Sequence, residues 1–190
     1  TGDSNTVLGA NALDANTTAN NNTAIGKSSL GNNTTGANNT GCGWGSLGQN
    51  TTAGANTALG YNCLGGNTTG ANNTSVGHNS SDAITTGNGN TALGQGALSA
   101  ATTQDSNTAV GHNALGSASG ANNVAYGSNA LQNCTTNNLT AIGYYALQQN
   151  TSGTENVAVG YQALDANTTG NRLTAVGQGA LGQNTTANDN

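Results

Sequence analysis

The feature that most constrains this chain is a short unit that recurs along all of its 190 residues. Asn156–Arg172 reads NVAVGYQALDANTTGNR, and the stretch that starts at Leu173 reads LTAVGQGALGQNTTAND. We number the positions of this unit as slots 1 to 17, with the consensus N-T-A-[VIL]-G-x-x-A-L-x-x-N-T-T-G-x-x. Repetition at a fixed period is typical of solenoids and related arrays, so it decides the fold before any other feature.

The slot 5 glycine sets the boundaries of the units. It recurs every seventeen residues, apart from two steps of sixteen that end at Gly127 and Gly143. Residues 1–190 therefore form a single repeat array of eleven units, which start near residues 5, 22, 39, 56, 73, 90, 107, 123, 139, 156 and 173. Units this small bury a core only by stacking. We expect an all-β fold, a parallel β-roll or β-solenoid of about eleven 17-residue coils, and a chain that is a fragment of a longer repetitive fibre.

Composition excludes several classes of function. Lys27 and Arg172 are the only basic residues and the formal charge is −5, so there is no basic stripe for nucleic acid. No apolar run is long enough to insert into a membrane. The two histidines, His78 and His112, have no carboxylate at a fixed offset, and no Cys or Cys/His pair has metal-ligand spacing. The sequence therefore predicts a protein that is not an enzyme, with no catalytic residue, metal site or cofactor.

Strand alternation predicts which slots form the core. Slots 2 and 4 share one face of a strand and slot 3 points to the other. Since slot 4 is the main apolar column and slot 2 is β-branched, we expect both to face the core, and the alanine of slot 3 to face another chain or sheet. A second short strand carries the leucine of slot 9, and the slot 5 glycine forms a turn or bulge. Cys42, Cys63 and Cys134 occupy different slots, which favours buried fillers over a disulfide.

Stacked units bring identical residues together. Identical Asn side chains in slot 1 are expected to hydrogen-bond from coil to coil as a ladder. Its members are Asn5, Asn22, Asn39, Asn56, Asn73, Asn90, Asn107, Asn123 and Asn156. Glu155 and Arg172 share slot 17 in consecutive units, so we expect a surface ion pair between them.

Slots 6 and 12 contain the candidate binding and modification sites. Slot 6 collects large planar side chains, which predict a glycan-binding ridge or, alternatively, residues that shield the turn or pack against a neighbouring chain. They are Trp44, Tyr61, His78, His112, Tyr144 and Tyr161. The asparagines of slot 12 begin N-glycosylation sequons, although a chain this rich in Asn and Thr forms sequons without selection for sugar. They are Asn16, Asn33, Asn50, Asn67, Asn150, Asn167 and Asn184.

The run N-T-A-[VIL]-G resembles the N-S-x-A-I-G core of the YadA-like head repeats of trimeric autotransporter adhesins. The longer phrase VAVGYQALDANTTG at Val157–Gly170 is similar to repeats of bacterial and phage tail-fibre-type proteins. The resemblance covers all eleven units. It implies a left-handed roll, a homotrimer, and a location outside the cell, at the cell surface or in a virion fibre.

Three functions remain open. The leading interpretation is a structural, surface-displayed extracellular fibre or adhesin segment that associates with itself, as a trimer or as an end-to-end filament. One alternative is an ice-binding solenoid, which the expected inward direction of the slot 2 threonines weakens. The other is a glycan-binding tail-fibre rod that uses slot 6 to contact surface glycans.

Overall fold

The computed structural model describes residues 2–117 and 120–190, which form a β-solenoid. Each coil contributes one three-residue strand at slots 2 to 4, and these strands form one parallel sheet in chain order, without a helix among the described residues. The strands are β1 (Thr6–Leu8), β2 (Thr23–Ile25), β3 (Thr40–Cys42), β4 (Thr57–Leu59), β5 (Thr74–Val76), β6 (Thr91–Leu93), β7 (Thr108–Val110), β8 (Val124–Tyr126), β9 (Thr140–Ile142), β10 (Val157–Val159) and β11 (Thr174–Val176). The predicted all-β solenoid is confirmed, and its left hand stays a prediction. We number each coil by its strand.

Equivalent slots lie directly one above the next. Thr6 pairs with Thr23, and the same register holds across both shorter steps, where Val124 pairs with Thr108 on one side and Thr140 on the other. Backbone hydrogen bonds also join the coils outside the sheet, as between the Leu30 N–H and the Ser46 carbonyl at 3.0 Å. With about 4.8 Å between adjacent strands, eleven such coils make a rod of roughly 50 Å.

The interior of the coil is lined by slot 3 and not by slot 4. The slot 3 alanines Ala58 and Ala125 are fully buried, whereas Leu59 and Tyr126 in slot 4 are 48% and 59% exposed. Slots 2 and 4 do share a face, as alternation requires, but the assignment of that face to the core was wrong. The interior has no room for the side chains of slot 4, because a large side chain from the opposite side of the coil already fills it.

The opposite side of the coil carries the slot 9 column, where Leu30 and Leu64 are fully buried. The predicted core position is confirmed, but the predicted second strand is wrong. The slot 9 leucines adopt left-handed backbone with φ between 50° and 54°. This conformation costs a non-glycine residue roughly 1–2 kcal/mol, while burying a leucine contributes roughly 1.5–3 kcal/mol. Burial therefore holds each leucine in a conformation that its side chain disfavours.

Small residues of slots 3 and 8 meet across the interior. Where slot 3 is Gly41, slot 8 is occupied by Ser29 and Ser46, whose hydroxyls lie 3.1 Å apart, and Ser29 donates to the Gly41 carbonyl at 2.9 Å. Where slot 3 is Ser75, its hydroxyl donates to Ser80 at 2.8 Å. The interior thus tolerates polar residues when they pair inside it.

The slot 5 glycine is required by the distance between coils. Gly60 has φ +142°, and a Cβ at this position would lie 2.3 Å from the carbonyl oxygen of Gly77 in the next coil. Both the backbone conformation and the contact exclude a side chain, which confirms the predicted obstructed turn.

The substitution Gly60→Ala should therefore destabilise the rod by at least about 2 kcal/mol, since strain and overpacking each cost roughly 1–3 kcal/mol. Urea unfolding followed by circular dichroism measures the change in free energy. Gly48→Ala is the control, because φ there is not positive and the nearest atom to a Cβ is 3.0 Å away. Equal losses for the two variants would contradict a special role for slot 5.

Candidate functional site

The outer face of the sheet is a regular surface that runs through all eleven coils. Slot 2 places a column of threonines along it, and slot 4 places an unbroken column of apolar residues beside them. The apolar column consists of Leu8, Ile25, Cys42, Leu59, Val76, Leu93, Val110, Tyr126, Ile142, Val159 and Val176. All of these side chains are exposed or half-buried. A continuous exposed apolar surface of this kind usually marks an interaction site.

The aromatic side chains of slot 6 form stacks along the rod. The rings of Trp44 and Tyr61 lie 4.8 Å apart and those of Tyr61 and His78 lie 5.1 Å apart, each pair tilted by only 11°. Tyr144 and Tyr161 stack in the same way at 5.7 Å. The spacing matches the distance between coils, so the rings follow one another along the axis.

This stacking limits what the ridge can bind. The rings of a stack cover each other's faces, so Tyr61, which lies between Trp44 and His78, presents only its edge to solvent. His112 stands apart, since its slot 6 neighbours are Gln95 and Ser128. A sugar that stacks on an aromatic residue needs a free ring face. Only the ends of the stacks offer one, so the six residues do not form a continuous platform.

The slot 1 asparagines form a ladder mainly to backbone, and one side-chain bond of the predicted kind joins Asn90 Nδ2 to Asn73 Oδ1 at 3.1 Å. The Oδ1 of Asn22 accepts the N–H of Asn39 at 2.9 Å, while its Nδ2 donates to the Gly36 carbonyl at 3.0 Å. Leu139 occupies slot 1 of coil 9, and its N–H still donates to the Oδ1 of Asn123 at 2.9 Å. Each buried amide therefore clamps its own coil and the next one, which fixes the distance and register between them.

The side-chain ladder occurs at slot 12, in the interior. Asn50 Nδ2 donates to Asn33 Oδ1 at 2.7 Å, and Asn67 Nδ2 donates to Asn50 Oδ1 at 2.8 Å. The same amides also donate to the slot 15 carbonyl of their own coil. The ladder stops at Ile84, which leaves Asn67 Oδ1 buried without a hydrogen-bond partner.

Burial of slot 12 decides against most of the candidate glycosylation sites. Five of the seven sequon asparagines are fully buried with their Nδ2 atoms hydrogen-bonded, namely Asn33, Asn50, Asn67, Asn150 and Asn167. A glycan attached to Nδ2 has no room in the folded rod. Asn16 and Asn184, in the first and last coils, are only half-buried.

Removing one amide from the slot 12 ladder should destabilise the rod. Asn50→Ala leaves the buried Asn33 Oδ1 without its donor, at roughly 1–3 kcal/mol for the unsatisfied group, whereas the Ala53 carbonyl still accepts from Asn39 Nδ2 at 2.8 Å. We expect a loss of about 1–3 kcal/mol, measured by urea unfolding. Asn184→Ala removes the equivalent side chain from a half-exposed position and should cost less than about 1 kcal/mol. A loss for Asn50→Ala no larger than this would show that the ladder is not stabilising.

The slot 17 ion pair forms with a different partner from the one predicted. Arg172 donates from Nε to Asp189 Oδ1 at 2.5 Å and from Nη2 to Oδ2 at 3.0 Å. Asp189 is the slot 17 residue of the following coil, so the predicted stacking register holds. The predicted partner was wrong, because Glu155 belongs to the preceding coil. The hydrogen bond and charge of Asp189 raise the pKa of Arg172, and Glu155 adds a smaller increase.

Two of the cysteines are interior fillers and the third is not. Burial raises the pKa of the thiols of Cys63 and Cys134, which are fully buried. Cys42 lies in slot 4 and is half-buried on the outer face of the sheet. All three thiols are free.

His78, Asp82 and Ser99 line a groove of about 340 Å³. Burial raises the pKa of Asp82, and the charge of His78 partly opposes this. No hydrogen bond joins these three described side chains, and Ser99 Oγ donates to the Gly116 carbonyl at 3.0 Å. The arrangement lacks the connected nucleophile and base of a catalytic triad.

The fold and its ladders define a β-solenoid rod with one outward-facing sheet. Comparison with protein-family models, with curated proteins and with solved structures found no match. The resemblance to YadA-like head repeats therefore stays a prediction. Within residues 2–117 and 120–190, no helix is long and apolar enough to cross a membrane, and no group of three or more His, Cys, Asp or Glu could hold a metal ion.

Proposed function

We propose that this chain is a structural segment of a surface-displayed extracellular fibre or adhesin, in which copies pack side by side through the outer faces of their sheets. The observation that supports the proposal is the apolar slot 4 column, which runs through every coil with residues such as Leu59 and Leu93 each 48% exposed. Burying these side chains removes apolar surface from water at about 25 cal/mol per Å².

The dimensions of the face suit a partner of the same shape. Three-residue strands about 10 Å long, in a sheet roughly 50 Å long, give about 500 Å² of projected surface, which the threonine column shares with the apolar slot 4 column. A second copy offers the same column at the same spacing between coils, so two or more rods can pack in register along their whole length. The resemblance to trimeric adhesins favours three copies, and joining of rods end to end remains compatible with lateral packing.

The proposal also accounts for what occupies the outer face. Slot 2 is Thr or Val and slot 4 is apolar in every coil, and neither slot contains a charged residue. The seven acidic and two basic residues all occupy other slots or lie in the segment before β1. Depletion of charge is the compositional signal of an interface centre.

The purified chain should have a mass in solution of at least twice 18.4 kDa, and three times that value for the trimer. Leu59→Asn combined with Leu93→Asn should raise the dissociation constant at least about tenfold, equivalent to 1.4 kcal/mol, because it puts amides into an apolar contact. Analytical ultracentrifugation over a range of concentrations measures both, and electron microscopy distinguishes finite bundles from end-to-end filaments.

The matched control for this experiment is Thr52→Asn combined with Thr86→Asn, two exposed slot 14 positions away from the sheet. This variant should assemble as the parent does. A parent chain that sediments at 18.4 kDa at every concentration would overturn lateral assembly.

One observation favours ice binding as a second candidate for the same face. Slot 2 threonines such as Thr40, Thr57 and Thr74 point outward and are exposed, which removes the objection that they face the core. They form a regular column on a parallel sheet, at one residue per coil. The varied sizes of slot 4, from Cys42 to Tyr126, make the face uneven and favour protein packing over an ice lattice.

We expect no thermal hysteresis from the assembled protein, because neighbouring copies cover the threonine column. Nanolitre osmometry makes this measurement. Hysteresis that is lost in Thr57→Lys with Thr74→Lys, but kept in Thr52→Lys with Thr69→Lys on slot 14, would assign the face to ice instead.

A further inference from the structure

A groove of about 400 Å³ crosses coils 1 to 4 on the side of the rod formed by slots 6 to 11. Trp44 borders it at slot 6, and Asn32 and Gln49 border it at slot 11. Between these borders lie Gly45 at slot 7 and Gly48 at slot 10, which have no side chains. The groove is therefore local, since it depends on glycines that most other coils replace with larger residues.

The fold does not require these two glycines. Slot 7 is left-handed in every coil, but asparagine occupies it at Asn62, Asn79 and Asn113 with φ between 50° and 53°. A Cβ on Gly45 would have only one atom within 4 Å, at 3.7 Å. Slot 10 holds Asp or Gln in several other coils. Unlike the slot 5 glycines, Gly45 and Gly48 contribute open space to the surface and are not needed for stacking.

Trp44 offers an aromatic surface to this space. Tyr61 covers the face of the indole that points toward coil 4, at a centroid distance of 4.8 Å. The opposite face points along the rod toward coils 1 and 2, whose residues Asn11 and Ser28 also line the groove. The side chain is 46% exposed. Trp44 is the first ring of its stack, so no ring of the described residues covers this face, and its slot 6 neighbour in coil 2 is the exposed Lys27.

The opposite border supplies paired amide groups. Asn32 Nδ2 donates to Gln49 Oε1 at 2.9 Å, which holds the two side chains together. Asn32 Oδ1, an acceptor, and Gln49 Nε2, a donor, make no hydrogen bond within the described residues. Asp14 is the only charged residue among those that line the groove.

From this arrangement we infer that the groove is a binding site for a neutral oligosaccharide. The apolar face of a pyranose ring stacks on a free indole face, and its hydroxyls, which both donate and accept, match the amide pair of Asn32 and Gln49. The volume falls within the range of small-molecule sites. The single carboxylate of Asp14 disfavours polyanionic sugars. This site replaces the continuous aromatic ridge as the place where a glycan binds.

The inference does not depend on lateral assembly, because slots 6, 7, 10 and 11 lie outside the strands. Substitutions in the groove should leave the mass in solution unchanged, so the two proposals can fail separately.

Trp44 is the only tryptophan of the chain, so its fluorescence reports directly on the groove. The probes are neutral tetrasaccharides of glucose, galactose, mannose and N-acetylglucosamine, each titrated to about 20 mM. We expect a saturable change in the emission of Trp44 with at least one of them. Gly45→Asn, which places the common slot 7 residue of the repeat in the groove, should weaken that binding at least tenfold.

Gly179→Asn makes the same change at slot 7 of coil 11, where no tryptophan is near, and should leave binding unchanged. Circular dichroism and thermal melting should be the same for both variants and the parent, since asparagine fits the backbone of slot 7. The absence of a saturable change with every probe, or equal binding by Gly45→Asn and the parent, would overturn the proposal.

Discussion

The width of the coil interior is the constraint on which the rest of this structure depends. One leucine from slot 9 reaches across the coil, and only alanine or glycine stands opposite it in the enclosed coils, as at Ala58 and Gly41. Serine enters slot 3 only at Ser75, in the coil where slot 9 is Ser81. Larger apolar residues of the strand therefore have to point outward. The interior is thus filled opposite the leucine by small side chains, and the apolar slot 4 column stays on the outside. Lateral association would bury that column, so the proposed assembly follows from the geometry of a single coil.

Buried amides hold adjacent coils together in this interior, as apolar contacts do in most protein cores. Slot 1 clamps each coil to the backbone of the next, and slot 12 joins amide to amide through the interior. Such networks stabilise only when every member is paired, because an orphaned polar atom is costly. The structure shows the effect of an interruption at Ile84, after which Asn67 Oδ1 has no partner. Hydrogen bonds between identical residues therefore tie the register of the rod to its sequence period.

Much of this architecture could be predicted from the sequence, because the period alone determines which residues are neighbours. Parallel in-register strands, the obstructed glycine of slot 5 and the buried leucine of slot 9 all follow from stacking. Which face of the strand points into the coil did not follow, since alternation groups slots 2 and 4 without saying which face is inside. Left-handed backbone at Leu30 was also hidden, because leucine carries no signal for it. The burial of Asn50 could have been found only from the apolar residues Ile84, Ala101 and Cys134, which occupy the same slot in other coils.

Because every coil repeats the same contacts with its two neighbours, the length of the rod is independent of how it is held together. Inserting or deleting a whole coil moves the ends by about 4.8 Å and creates no new kind of contact. Unequal recombination within such a gene would therefore yield folded products of graded length. The spacing between whatever the two ends are attached to would then be an inherited quantity that changes in uniform steps, which makes the array a molecular ruler.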